Sequence, residues 1–483
     1  MSRTFIVIVL SLLAVATGCV PNRAYRTGVA GQRPPVQLAP TSQNIDLRVI
    51  TTAKGACPQF DMPITEQPRT STVEIAAGKA YDLAIMEYDE EGEPWTIGNL
   101  CNSSLPENSQ LATAVALIKM RKQDKTRPVF VITFIHGWKN NASENNEERK
   151  NLAGFKQTLQ SMAERYPSLQ FIGVFVGWRG QVIAADSFLS YWNRRDTANR
   201  IAGPSMTEAL FTLMFATRPE SALEDPCATA ARPDDDSHFV LVGHSFGGRI
   251  LERAVAQPYM AMLVERAARQ QAGCGTERTA AALRSPGFRP PADLIVFLNP
   301  AADSLEGKAM IEGMMRLNIK TEPEGPLFLS ISSQSDSATR TLMPLAQWTT
   351  LAGNSSTRKD YGNDAPQRGQ IYQKKKDKIS QRRQSYYFNN SEANVPEMRT
   401  HSICLISSRD CSPRDSRYEF TVGTKSYLMK PRSEAWNNTP FWVIHSPGSL
   451  IRNHWDIFNS DVTGFLTWLI QKYGMGQTRI VIQ

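Results

Sequence analysis

What this sequence lacks narrows its chemistry first. Its 483 residues contain no Cys/His spacing of the kind that holds zinc and no glycine-rich loop of the kind that cradles a nucleotide. The expectation is a chain with no metal and no cofactor. Charged residues make up a modest 21%, and no nucleic-acid-binding motif accompanies the net charge of +8, so nucleic acid is not an expected partner. The positive excess fits a mild preference for anionic surfaces such as lipid headgroups. Long hydrophobic runs are scarce too. The N-terminal one, Phe5 to Ala16, is apolar but for Ser11, and it is too short to span a bilayer as a permanent helix. With Arg3 before it and Thr17-Gly18-Cys19 after it, it reads as the apolar centre of a secretory signal.

What is present is enough for a large core. A hydrophobic fraction of 41% is ordinary for a globular protein, and the length suits one core carrying an insertion. The most informative stretch is Phe239-Val240-Leu241-Val242-Gly243-His244-Ser245-Phe246-Gly247-Gly248-Arg249-Ile250-Leu251. A β-branched, apolar run stops at a serine between glycines, and a helical pattern (Ile250, Leu251, Ala254, Val255) begins at once. Strand, tight turn, helix is the predicted local structure. The turn strains the serine backbone, which only very small neighbours tolerate, and it leaves the hydroxyl at the start of a helix whose N–H groups face it.

These residues make the G-x-S-x-G pattern, and the stretch resembles the nucleophile turn of the α/β-hydrolase superfamily of serine esterases and lipases. The resemblance implies a doubly wound, mostly parallel sheet, a Ser-acid-His triad and a loop that binds an oxyanion. The apolar run Pro128 to Trp138 fits a strand buried on both faces, and it ends in His136-Gly137, as the family's third strand does. The resemblance then makes the backbone N–H groups of Phe246 and Trp138 the oxyanion donors, with Gly137 as the alternative. His136 itself is expected either to cap the strand or to reach the substrate. For the acid, Leu327 to Asp336 reads as a strand ending in small polar residues and an aspartate, so Asp336 is the first choice and Asp303, one strand earlier, the second. An aspartate at a strand end also commonly forms an Asx turn or a helix cap. For the base, His454 lies in the loop between the strand at Phe441 and the final helix; His445, at the strand's end, is the alternative. The order Ser245, Asp336, His454 matches the superfamily's order.

The expected organisation is a signal at 1–18, a Pro- and Gly-bearing tether at 19–44, a core at 45–352, a cap over the site at 353–440, and the last strand and helix at 441–483. Strands are predicted at Ile45–Ile50, Thr72–Ala76 and Tyr81–Tyr88, as antiparallel opening strands. Small residues ending at Cys19 resemble the bacterial lipoprotein box, although Ala16 stands where that box usually has leucine. The resemblance implies acylation of Cys19 and a place in the cell envelope, and Val20, in place of an aspartate, points to an outer membrane. The basic run Lys374-Lys375-Lys376-Asp377-Lys378 suits either anionic headgroups or a solvated loop. Apart from Cys19 the cysteines are Cys57, Cys101, Cys227, Cys274, Cys404 and Cys411, an even set consistent with disulfides in an exported chain. Cys404 with Cys411, Cys57 with Cys101 and Cys227 with Cys274 are the expected pairs. The expected activity is hydrolysis of an acyl ester. The competing expectation is an inert envelope protein of the same fold that binds or scaffolds.

Overall fold

A strand covered on both faces has no solvent side, so apolar residues replace alternation. The computed structural model describes residues 24–26, 73–74, 80–95, 110–143, 151–180, 190–218, 236–271, 289–302, 304–336, 399–408, 411, 418–431, 439–475 and 479–482. Among them β3 (Val129–Ile135), β4 (Gln170–Trp178), β5 (His238–His244) and β6 (Leu294–Leu298) are buried at every position. The other strands are β1 (Val73–Glu74), β2 (Tyr81–Tyr88), β7 (Ile319–Glu322), β8 (Phe328–Ser333), β9 (Arg399–Leu405), β10 (Glu419–Val422), β11 (Lys425–Pro431), β12 (Phe441–Ser446) and β13 (Arg479–Ile482). Seven α-helices are described: α1 (Gln110–Arg121), α2 (Asn151–Arg165), α3 (Ser190–Ile201), α4 (Pro204–Thr217), α5 (Phe246–Gln271), α6 (Ser304–Arg316) and α7 (Ser460–Leu469). The last runs on into a π-helical turn, Ile470–Gly474.

The protein is α/β, with a largely parallel central sheet of 11 strands in the order β1-β2-β4-β3-β5-β6-β8-β12-β9-β11-β10. From β2 across to β9 every pairing is parallel. Helices cover both faces. Leu117 and Ile118 of α1, Ile201 of α3, Leu210 of α4, Ile250 of α5 and Ile311 of α6 join one apolar layer. Leu152 and Phe155 of α2 with Val462 and Phe465 of α7 join the other. From β3 the chain steps outward to β4, and from β5 it steps the opposite way to β6. That reversal beside β5 is the topological switch point of the sheet, the usual place for a site in an open α/β fold.

Three expectations need correction. β1 pairs antiparallel with β2, as expected, but β2 also runs parallel to β4, so it is antiparallel on one edge only and joins the parallel core. The segment assigned to a cap contributes, at 399–431, strands rather than a cover: β9 pairs parallel with β12, and β11 and β10 continue antiparallel, lengthening the sheet. Alternating burial in β10 explains why it did not look like core, because one of its faces stays exposed. Nor is β12 the last strand, since β13 pairs with β7 in a separate two-stranded sheet.

Several expectations lie outside the described residues: the signal and Cys19, the strand at Ile45–Ile50, Asp303, the run at Lys374, and Cys57, Cys101, Cys227 and Cys274. Cys404 and Cys411 form a disulfide. Among the described residues no helix is long and apolar enough to cross a membrane, and no group of three or more His, Cys, Asp or Glu is placed to hold a metal ion.

Candidate active site

The carboxyl end of β5 meets the start of α5 at Ser245, whose φ of 57° puts a non-glycine residue in the left-handed region. Two glycines make that turn possible. A Cβ on Gly243 would sit 2.5 Å from the carbonyl oxygen of Gly247, and one on Gly247 would collide with the carbonyl of Ile135 in β3. The turn is held from outside: Ser245 N–H donates to the Leu298 carbonyl of β6 (3.1 Å), and Ala301 N–H donates to the Ser245 carbonyl (2.9 Å). The hydroxyl therefore stands on a braced backbone.

The acid and the histidine arrive from far along the chain. Asp336 follows β8, is fully buried, and its N–H donates back to the Ser333 carbonyl. His454 lies in the loop after β12 and is 3% exposed. Ser245 Oγ–H donates to His454 Nε2 over 2.7 Å, and His454 Nδ1–H donates to Asp336 Oδ2 over 2.8 Å. One neutral tautomer satisfies both bonds. Ser245, His454 and Asp336 are thus brought together as a hydrogen-bonded chain. His445 is not in that chain; it is a buried strand residue of β12, opposite Ser332 of β8 and Ser402 of β9.

On the other side of Ser245 lies the loop after β3. Gly137 abuts the serine: a Cβ there would come within 2.6 Å of the Ser245 Cβ. His136 is completely buried and faces away from solvent chemistry. Its Nε2 accepts from the Trp178 backbone N–H (2.9 Å), so its Nδ1 carries the proton and donates to the Gly137 carbonyl (2.8 Å). Burial holds the ring near pKa 4, and it stays neutral. Because a trans peptide points its C=O and N–H in opposite directions, anchoring the Gly137 carbonyl also fixes the direction of the Trp138 N–H. Lys139 follows with φ 64°, and its N–H donates to the Gly180 carbonyl at the end of β4. Phe246 opens α5, so its N–H is one of the four with no helical acceptor.

Aromatic rings wall this corner. Trp138 meets Tyr191 edge-on at 5.7 Å and Trp455 at 6.2 Å, Tyr191 packs on Phe246 at 5.1 Å, and the Lys139 ammonium lies 4.4 Å over the Trp138 ring.

Sequence reasoning missed three supporting residues. His244, directly before Ser245, donates from Nε2 to the backbone carbonyl of His454 (2.8 Å), tying the histidine loop to β5. Burial, then the nearby His454 ring, pushes its pKa down to about 3. Its signal was a polar residue closing an apolar strand, directly before the serine. Ser333 Oγ–H donates to the Ile451 carbonyl (2.6 Å) and joins β8 to the same loop, while Asn299 Oδ1 accepts from Ser333 N–H (2.9 Å). Neither has a local pattern to give it away.

Set against known proteins, the chain matches no family model, no curated protein and no solved structure.

Proposed function

We propose that this chain is a serine hydrolase of α/β-hydrolase type that cleaves carboxylic esters through an acyl-enzyme. The observation that carries this reading is the pair of hydrogen bonds from Ser245 to His454 and from His454 to Asp336. A serine hydroxyl is a poor nucleophile at neutral pH and needs a base within hydrogen-bond reach. His454 takes the proton as Ser245 attacks the acyl carbonyl, then passes it to the leaving alcohol. Asp336 holds the imidazole tautomer and stabilises the imidazolium that forms. The carbonyl oxygen gains charge as the tetrahedral intermediate forms, and the N–H groups of Phe246 and Trp138 receive it; such donors contribute about 3 kcal/mol each in serine hydrolases. Water then attacks the acyl-enzyme with His454 again as base.

The setting belongs to the same proposal. The N-terminal signal pattern and Cys19 support export with a lipid anchor, and the Cys404–Cys411 disulfide is of the kind that persists in an oxidising compartment. The chain would then act at the cell envelope, on an acyl ester at or near a lipid surface.

A fluorophosphonate probe tests the reaction. The wild-type chain should be labelled and a Ser245→Ala variant should not; equal labelling of both, or of neither, would overturn the hydrolase reading and leave a binding or scaffold role.

A further inference from the structure

The stretch expected to be a free tether enters the body of the protein at Ala24–Arg26. Arg26 is 1% exposed. The backbone N–H groups of Tyr25 and Arg26 both donate to the carboxylate of Glu87 in β2, at 2.9 Å and 2.7 Å. Gln110 of α1 donates to the Arg26 carbonyl (3.2 Å), and Glu74 of β1 lies 3.5 Å from Arg26 Nη1. The outward-reaching contacts are the informative ones. Arg26 Nε donates to the backbone carbonyl of Ala142 (3.1 Å), and Asn141 Nδ2 lies 3.5 Å from the Tyr25 hydroxyl. Ala142 and Asn141 belong to the 137–143 loop, which abuts Ser245 at Gly137 and carries the Trp138 amide. Inside, that loop is braced on Gly180 and His136; its far end rests on the N-terminal arm.

We propose that Tyr25 and Arg26 form a clasp that holds the 137–143 loop in the shape the site needs, so that the site is complete only while the N-terminal arm is docked. Arg26 is a positioning residue here, acting through the Ala142 carbonyl on the Trp138 amide. The inference deepens the hydrolase reading and rests on it for its catalytic consequence, but the clasp itself rests on contacts. Its placement also sets a distance. Tyr25 is six residues beyond Cys19, so an acyl group on that cysteine could stand no more than about 20 Å from the clasp. Anchor and catalytic loop are therefore mechanically close.

The test uses the full chain. In Arg26→Ala, amide exchange at residues 138–142 should rise about tenfold while β3 and β5 keep their protection, and fluorophosphonate labelling of Ser245 should slow by about the same factor. A role in global stability alone would loosen β3 and β5 as well, and unchanged exchange at 138–142 would remove the clasp altogether; either result overturns the proposal. If Arg26→Ala does not fold, Arg26→Lys decides: it keeps the positive charge near Glu87 and Glu74 but lacks the Nε–H that meets Ala142, and the same local exchange signature is expected of it. Should the wild-type chain resist labelling, the hydrolase reading fails on its own, and the exchange measurement still judges the clasp.

Discussion

Ser245, His454 and Asp336 differ in how replaceable they are, and their surroundings say why. Asp336 is fully buried and directs the proton on His454 to Nδ1, leaving Nε2 to accept from the serine. In Asp336→Asn the amide can donate to Nδ1 and so favours the wrong tautomer; turnover should fall by about four orders of magnitude with the fold intact, measured as kcat on a chromogenic ester beside a thermal melt. A loss of under about tenfold would mean that another group orients the ring. His244 works at one remove, by holding the His454 backbone. His244→Phe keeps a ring of similar size but deletes the Nε2–H, and with a hydrogen bond worth about 1 kcal/mol, kcat should drop by roughly fivefold with little change in KM. A rise in KM alone would place His244 at substrate binding instead.

Between elements, helices and strands meet through buried charge as well as through apolar layers. Arg218, just past α4, donates to Asp293 Oδ1 over 2.7 Å, Arg289 lies 3.3 Å from the same oxygen, and Phe239 N–H of β5 donates to Oδ2 over 2.8 Å. Burial alone would raise this carboxyl's pKa, yet Arg218, with His238 and Arg289 behind it, brings it down to about 2. Asp293 thus ties α4 to the starts of β5 and β6, at the opposite end of the strands from Ser245. Asp293→Asn leaves two buried guanidinium groups without their carboxylate, and unfolding in urea should show a loss of about 3 to 5 kcal/mol. A change below about 1 kcal/mol would show that the arginines relax to water. At element scale the sequence was also most legible. Apolar runs marked β3, β4, β5 and β6, because strands covered on both faces leave a continuous signature. β10 escaped because an edge strand with one wet face looks, residue by residue, like a polar insertion, and β11 because its buried centre, Tyr427 to Met429, is only three residues long between partly exposed ends.

For the whole molecule, two buried histidines shape the response to acid. His136 is held near pKa 4 and His244 near 3, both chiefly by burial, against about 6.5 for an exposed ring. Between those values the unfolded chain binds more protons than the folded one, so stability rises with pH across the window. It is fully present above about pH 6.5 and is lost as pH falls toward 4, with His136 alone contributing on the order of 3 kcal/mol. The urea midpoint should therefore be clearly lower at about pH 5 than at about pH 7; a flat profile would show that one or both rings are charged in the fold. The chain's own pattern determined the serine turn, since a serine at φ 57° in so tight a turn needs Gly243 and Gly247 as neighbours, and it determined the order in which serine, acid and histidine occur. Only the tertiary structure decided which acid and which histidine meet the serine, because 118 residues separate Asp336 from His454 and 209 separate Ser245 from it. No local rule encodes that closure; it follows from β5, β8 and β12 lying close together in one parallel sheet and opening their loops on the same edge. For the same reason the arm at Tyr25–Arg26 read as tether: its partners Glu87, Gln110 and Ala142 become neighbours only after the sheet has formed.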